Sequence, residues 1–194
     1  MVFSKLFKRD ATKTAAEQLY LALATQARQP YFYAAAGVPD SLDGRFDAVA
    51  LHAFLVLNRL KRETDPAAAG LAQHLVDHFV EDMDRSVREL GVGDMGVARR
   101  VKQMAQALYG RAAVYEQAVA DSDDGALAAS LVRNLYGTRA APVAAEVSLV
   151  VRYVRDAIAV LAEQNLAALA QGKIEFPEPG KASSGKASPG KDSA

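Results

Sequence analysis

Apolar residues recur along most of this chain at the spacing of one helix face. Leu19, Leu23 and Ala27 are four apart within Thr14–Arg28, which predicts an amphipathic helix that Pro30 ends. Tyr31, Phe32 and Tyr33 predict a short helical turn packed on a core, and Gly37–Gly44 (GVPDSLDG) reads as a loop. Phe46–Leu60 is apolar on nearly every face, the pattern of a helix buried at the centre of a bundle. Arg59, Lys61 and Arg62 follow at its C-terminal end, where the helix dipole favours cations. Asp65 and Pro66 then read as N-cap and first position of the next helix. Its stripe is Leu71, Leu75, Phe79, Met83, Val87 and Leu90, with Gly91 as C-cap. Asp94 reads as N-cap of a helix with Val97, Val101, Met104, Leu108 and Tyr115 on one side. Asp121–Asp124 predicts a turn, and Leu127, Leu131 and Leu135 mark a shorter helix ending near Gly137. Ala141 and Pro142 open a last long helix with Val143, Val147, Val150, Val154, Ile158, Leu161 and Leu169 on one side. No useful stretch alternates with period two, so no sheet is expected.

These elements predict an all-α, single-domain bundle of about six to seven helices spanning residues 14–171. Residues 1–13 read as a basic amphipathic extension. Residues 172–194 are rich in Lys, Gly, Ser and Pro, carry no apolar periodicity, and are expected to form a disordered tail. Basic and acidic residues number 23 each, so no net field draws in nucleic acid. The absence of cysteine rules out disulfides, thiolate metal sites and cysteine nucleophiles. No segment has the apolar length of a transmembrane helix. The N-terminus lacks the apolar core of a signal peptide and is very short for a presequence, so a bacterial cytoplasmic protein is expected. Phe3, Lys5, Phe7, Lys8 and Arg9 mix apolar and basic side chains and suit a weak contact with membrane headgroups.

The candidate chemistry is sparse. GVGDMG at Gly91–Gly96 matches a dinucleotide-binding string, but a helix precedes it instead of a strand, and capping accounts for the same glycines. His74 and His78 stand one turn apart and could share a metal or haem, which is the alternative reading as a helical enzyme or carrier; His52 lies on the buried helix. No third or fourth convergent ligand is evident. Glu81, Asp82 and Asp84 precede Arg85, Arg88 and Glu89, a spacing that suits ion pairs Glu81–Arg85 and Asp84–Arg88 on a solvated face. Asp40, Asp43, Arg45 and Asp47 surround the entry to the central helix, as caps or as a charged rim for a partner. No nucleophile, phosphate loop or catalytic constellation appears, so an enzyme is not expected and neither metal nor cofactor is assigned.

Several strings together resemble the ubiquinol–cytochrome c chaperone family. They are Gln26-Ala27-Arg28 with Pro30 and Tyr33, GVPDSLDGRFDAVALH at Gly37–His52, and Leu57-Asn58-Arg59-Leu60. FVEDMDRSVRELGVGDMGV at Phe79–Val97, LYGRAAVY at Leu108–Tyr115 and RNLYG at Arg133–Gly137 complete the set. The resemblance covers about residues 15–165. It implies a helical, non-catalytic assembly factor that binds newly made cytochrome b for the ubiquinol–cytochrome c reductase. It also implies action beside the inner membrane, on its cytoplasmic face in a bacterium, with a second assembly factor and the ribosome as further partners. The resemblance raises Asp40, Asp43, Arg45 and Asp47, and Glu81, Asp82, Asp84, Arg88, Glu89 and Asp94, as candidate partner-binding residues. A client helix is expected to lie in an apolar groove with a polar rim.

Overall fold

The computed structural model describes residues 2–91, 93–121, 124–137, 139 and 142–181, with side chains from Ala11 onward. Among these residues the chain is entirely helical apart from its connections. Six longer helices are α1 (Val2–Ala27), α3 (Leu42–Lys61), α4 (Pro66–Glu89), α5 (Asp94–Ala120), α6 (Asp124–Asn134) and α7 (Ala144–Ala162). Two short turns, α2 (Pro30–Ala34) and α8 (Leu166–Leu169), complete the order.

Helix α3 is the hub and touches α1, α4, α5 and α7. Its all-round apolar sequence explains this position: Val49, Leu51, Phe54, Leu55 and Val56 are all buried on one helix. Burying each such side chain contributes about 1.5–3 kcal/mol of transfer free energy. The helix starts where Ser41 accepts a hydrogen bond from the Gly44 amide at 3.2 Å. A Cβ on Gly44 would stand 2.0 Å from the Pro39 carbonyl oxygen, so the loop can close on this turn only over glycine. Helix α4 starts as expected, with Asp65 accepting from the Ala67 amide at 2.8 Å and Pro66 in first place. Gly91 leaves α4 at φ 75°, which makes the glycine-rich string a joint between two helices.

The structure moves several expected boundaries. Helix α1 begins at Val2 instead of Thr14, so the first residues extend a helix. Their side chains lie outside the described residues, and with them the membrane contacts expected of Phe3, Lys5, Phe7, Lys8 and Arg9. Asp94 is the first residue of α5 and not its N-cap; Gly93 holds that position without a side-chain bond. The packed chain also continues beyond 171. Ile174 and Phe176 lie against the core, so packed chain reaches at least Phe176, and the rest of the expected tail from 182 to 194 lies outside the described residues.

Candidate functional site

Two open grooves flank α5. The first, about 400 Å³, is walled by Leu42 and Phe46 of α3, Val87 of α4, Leu90 just beyond it, and Met104 and Ala107 of α5. Asp43, Ser86, Arg100, Gln103 and Arg133 supply its polar groups. The second, about 590 Å³, is lined by Phe54 and Leu57, by Ala69, Ala72 and Val76 of α4, and by Tyr109 and Ala112 of α5. Lys61 and Glu116, paired at 2.5 Å, stand on its edge. At 100° per residue, Ala72, Val76, Val87 and Leu90 share one face along α4. On α5, Arg100, Met104 and Ala107 face one way while Tyr109, Ala112 and Glu116 face away from them. Helix α5 thus lies across the α3–α4 seam with a groove on each side.

The first groove unites part of both predicted charged segments, the entry to α3 and the end of α4. Asp47, 5% exposed, forms its inner wall. The Arg111 guanidinium approaches Asp47 Oδ1 at 2.7 Å, an ion pair without aligned hydrogen-bond geometry. Arg111 also covers the Phe46 ring at 5.3 Å. Burial outweighs the Arg111 charge, and the nearby Asp43 adds to it, so the Asp47 pKa is pushed up to about 7. Burial also raises the pKa of the Tyr115 phenol, with the Asp47 charge adding to the effect. No sequence pattern points to Arg111 itself, although it lies in the string LYGRAAVY; Arg133 likewise opens RNLYG.

The other predicted residues scatter. Asp40 pairs with Arg45 at 2.6 Å on an exposed loop, which lowers the Asp40 pKa. Arg45 also lies 6.0 Å from the Tyr33 ring centroid. Asp84 and Asp94 both bind Arg88, at 2.6 and 2.7 Å; the first pair lies within α4 and the second ties the α4–α5 joint. Glu89 is exposed at the end of α4. The predicted Glu81–Arg85 pair does not form: Glu81 lies 3.4 Å from His78, and Arg85 lies 4.0 Å from Asp82. Nor is Asp82 a purely solvated acid, because it accepts the Tyr20 hydroxyl at 2.7 Å and locks α1 to α4. Tyr20→Phe should cost about 1.5–3 kcal/mol in urea unfolding, the range for a bond to a charged group, and Asp84→Asn less than about 0.5.

Of the histidines, His52 is held by two hydrogen bonds, whereas the buried Nε2 of His78 has no hydrogen-bond partner. His74 stands 3.6 Å from Asp77 and His78 3.4 Å from Glu81, each against a carboxylate of its own helix. Among the described residues no group of three or more His, Asp or Glu could hold a metal. His52 is fully buried. Its Nδ1 donates to the Ala48 carbonyl at 2.8 Å, which leaves Nε2 to accept the Tyr153 hydroxyl, also at 2.8 Å. Phe32 fills the core beside both rings at 5.2 and 4.8 Å, so the aromatic turn of α2 builds this node and lines neither large groove.

Family comparison decides what kind of bundle this is. The ubiquinol-cytochrome C chaperone family model matches residues 34–176. The chain belongs to this family. The chaperone family match spans every wall of both grooves. The chain is 26% identical over 149 residues to "Ubiquinol-cytochrome-c reductase complex assembly factor 1" of Xenopus laevis, covering 77% of this chain and 73% of that protein. It is 29% identical over 152 residues to "Protein CBP3, mitochondrial" of Saccharomyces cerevisiae, covering 77% of this chain and 45% of that one. It therefore spans less than half of that yeast relative. The crystal structure of the Cbp3 homolog from Brucella abortus is similar at 38% identity with a TM-score of 0.78, covering 92% of this chain and 97% of that one.

Proposed function

We propose that this chain is an assembly chaperone for the ubiquinol–cytochrome c reductase, and that it works by holding the newly made cytochrome b subunit without catalysing a reaction. The observation that carries this reading is the family match over 34–176 together with an open, charge-rimmed apolar groove inside the matched region. A membrane-protein client in mid-assembly exposes apolar helix faces beside polar ends. Leu42, Phe46, Val87, Leu90 and Met104 would take the apolar face of one helix. Asp43, Arg100 and Arg133 would take polar groups at its ends. Among the described residues no helix is long and apolar enough to cross a membrane, which supports a peripheral role beside the client's membrane. In a bacterium that place is the cytoplasmic face of the inner membrane, where a second assembly factor and the ribosome would meet the same client.

Leu90 tests the groove directly, because it is 54% exposed and contributes little to the core. A leucine buried by a client supplies about 1.5–3 kcal/mol, and about 1.4 kcal/mol is tenfold in affinity. In a host deleted for this gene, Leu90→Asp should therefore restore at least about tenfold less assembled reductase and spectroscopic cytochrome b than the unmodified chain does. Leu21→Asp, at an exposed position of α1, should restore both fully. Equal rescue by the two variants would overturn the groove assignment. Normal reductase in the deletion host itself would overturn the function.

A further inference from the structure

The segment after α8 is held as a peptide ligand is held. Gln164 reads its main chain with both ends of one amide: Nε2 donates to the Glu175 carbonyl at 2.7 Å, and Oε1 accepts the Glu175 amide at 3.0 Å. Gln26 donates to the Pro177 carbonyl at 3.0 Å. Side chains alternate about this extended run, with Lys173 and Glu175 outward and Ile174 and Phe176 inward against the core. Phe176 stands edge-on to His52 at 5.7 Å. The groove reads the backbone through fixed amides from α1 and the end of α7, and it reads two side chains through apolar contact. That is the recognition logic of an extended-peptide site.

We propose that this face is a binding site for an extended peptide with an apolar residue, one spacer, an aromatic residue and a proline, and that Ile174–Pro177 is its resident ligand. A partner segment of that pattern occupies the site by exchange with the resident one. The resident segment is suited to exchange: Ile174 and Phe176 are only partly buried, and the segment's main-chain bonds are to side chains instead of a sheet. Segments with few buried contacts open well below the energy of global unfolding. The site is separate from the α5 grooves, so the inference stands independently of the client.

Hydrogen exchange on the full chain gives the first test. The Glu175 amide should exchange at least about a hundredfold faster than the amides of Leu51–Leu55 in α3, through opening of this segment alone. Equal protection would mean that the segment leaves only with global unfolding, and would overturn the proposal. The second test uses a fluorescent peptide of residues 173–181 as probe. Full-length Phe176→Ala, with its resident ligand loosened, should bind the probe at least about tenfold more tightly than the unmodified chain. The same probe with its phenylalanine replaced by alanine should not bind. No binding of the intact probe to folded Phe176→Ala, or equal binding of both probes, would overturn the site; if that variant does not fold, the exchange result decides.

Discussion

Arg111→Ala should destabilise the chain by about 2–3 kcal/mol at pH 8, because the Asp47 carboxyl, buried without its cation, must take up a proton there. At pH 5.5 the loss should shrink to about 1–2 kcal/mol. With its pKa pushed up to about 7, Asp47 already carries a proton in the folded state at that pH. Arg111 then contributes mainly its cover of Phe46 and a long bond to the Asn134 carbonyl at 3.4 Å. Asp47→Asn should cost less than Arg111→Ala at pH 8, since it removes the buried charge itself. Urea unfolding of both variants at the two pH values measures these differences. An equal loss for Arg111→Ala at both pH values would mean that the guanidinium acts through packing alone.

The pair joins α3 to α5 directly behind the first groove, so the same chemistry sets the groove's shape. Arg111 bridges the Asp47 side of α3 and the end of α6 through Asn134. Lysine would keep the charge but lose the planar fork and the cover over Phe46. The groove therefore depends on a residue whose importance no helical periodicity reports.

Local patterns told most about elements whose stability is local. The apolar run Phe46–Leu60 announced the central helix, and Asp65-Pro66 announced the start of α4, because burial and capping act within one segment. Three features depended on distant partners. Asp47 reads as a cap by its position, yet Arg111 from another helix defines it. Ile174 and Phe176 are too few to make a periodic signal, and the amides that hold their segment come from Gln26 and Gln164. Asp82 sits in a run of exposed acids, but Tyr20 from α1 claims it. The exchange of Glu81–Arg85 for Glu81–His78 has a different cause. Alternative ion pairs on an exposed helix face differ by only a few tenths of a kcal/mol, so spacing alone does not select among them.

Two buried groups, His52 and Asp47, should give opposite pH slopes that hide each other. Burial holds His52 at a pKa of about 4, below its ordinary 6.5, although the Ala48 bond opposes the shift. Between pH 4 and 6.5 the unfolded chain therefore binds a proton at His52 that the folded chain does not. Stability from this group rises with pH across that window and is lost as pH falls toward 4. Asp47 does the reverse. From its ordinary 3.8 up to about 7 the folded chain holds a proton that the unfolded chain has released, so stability falls as pH rises. The effects are on the order of 3 kcal/mol for His52 and 4 kcal/mol for Asp47 across their windows, with equal and opposite slopes, so between pH 4 and 6.5 they largely offset. His52→Leu should expose the Asp47 slope, with unfolding midpoints that decline from pH 4.5 to 7. It should also cost about 1–3 kcal/mol overall, because the Tyr153 hydroxyl loses its acceptor. Asp47→Asn should expose the opposite slope, with midpoints that climb from pH 4.5 to 6.5. If both variants keep the same pH profile as the unmodified chain, neither buried group titrates as its surroundings dictate.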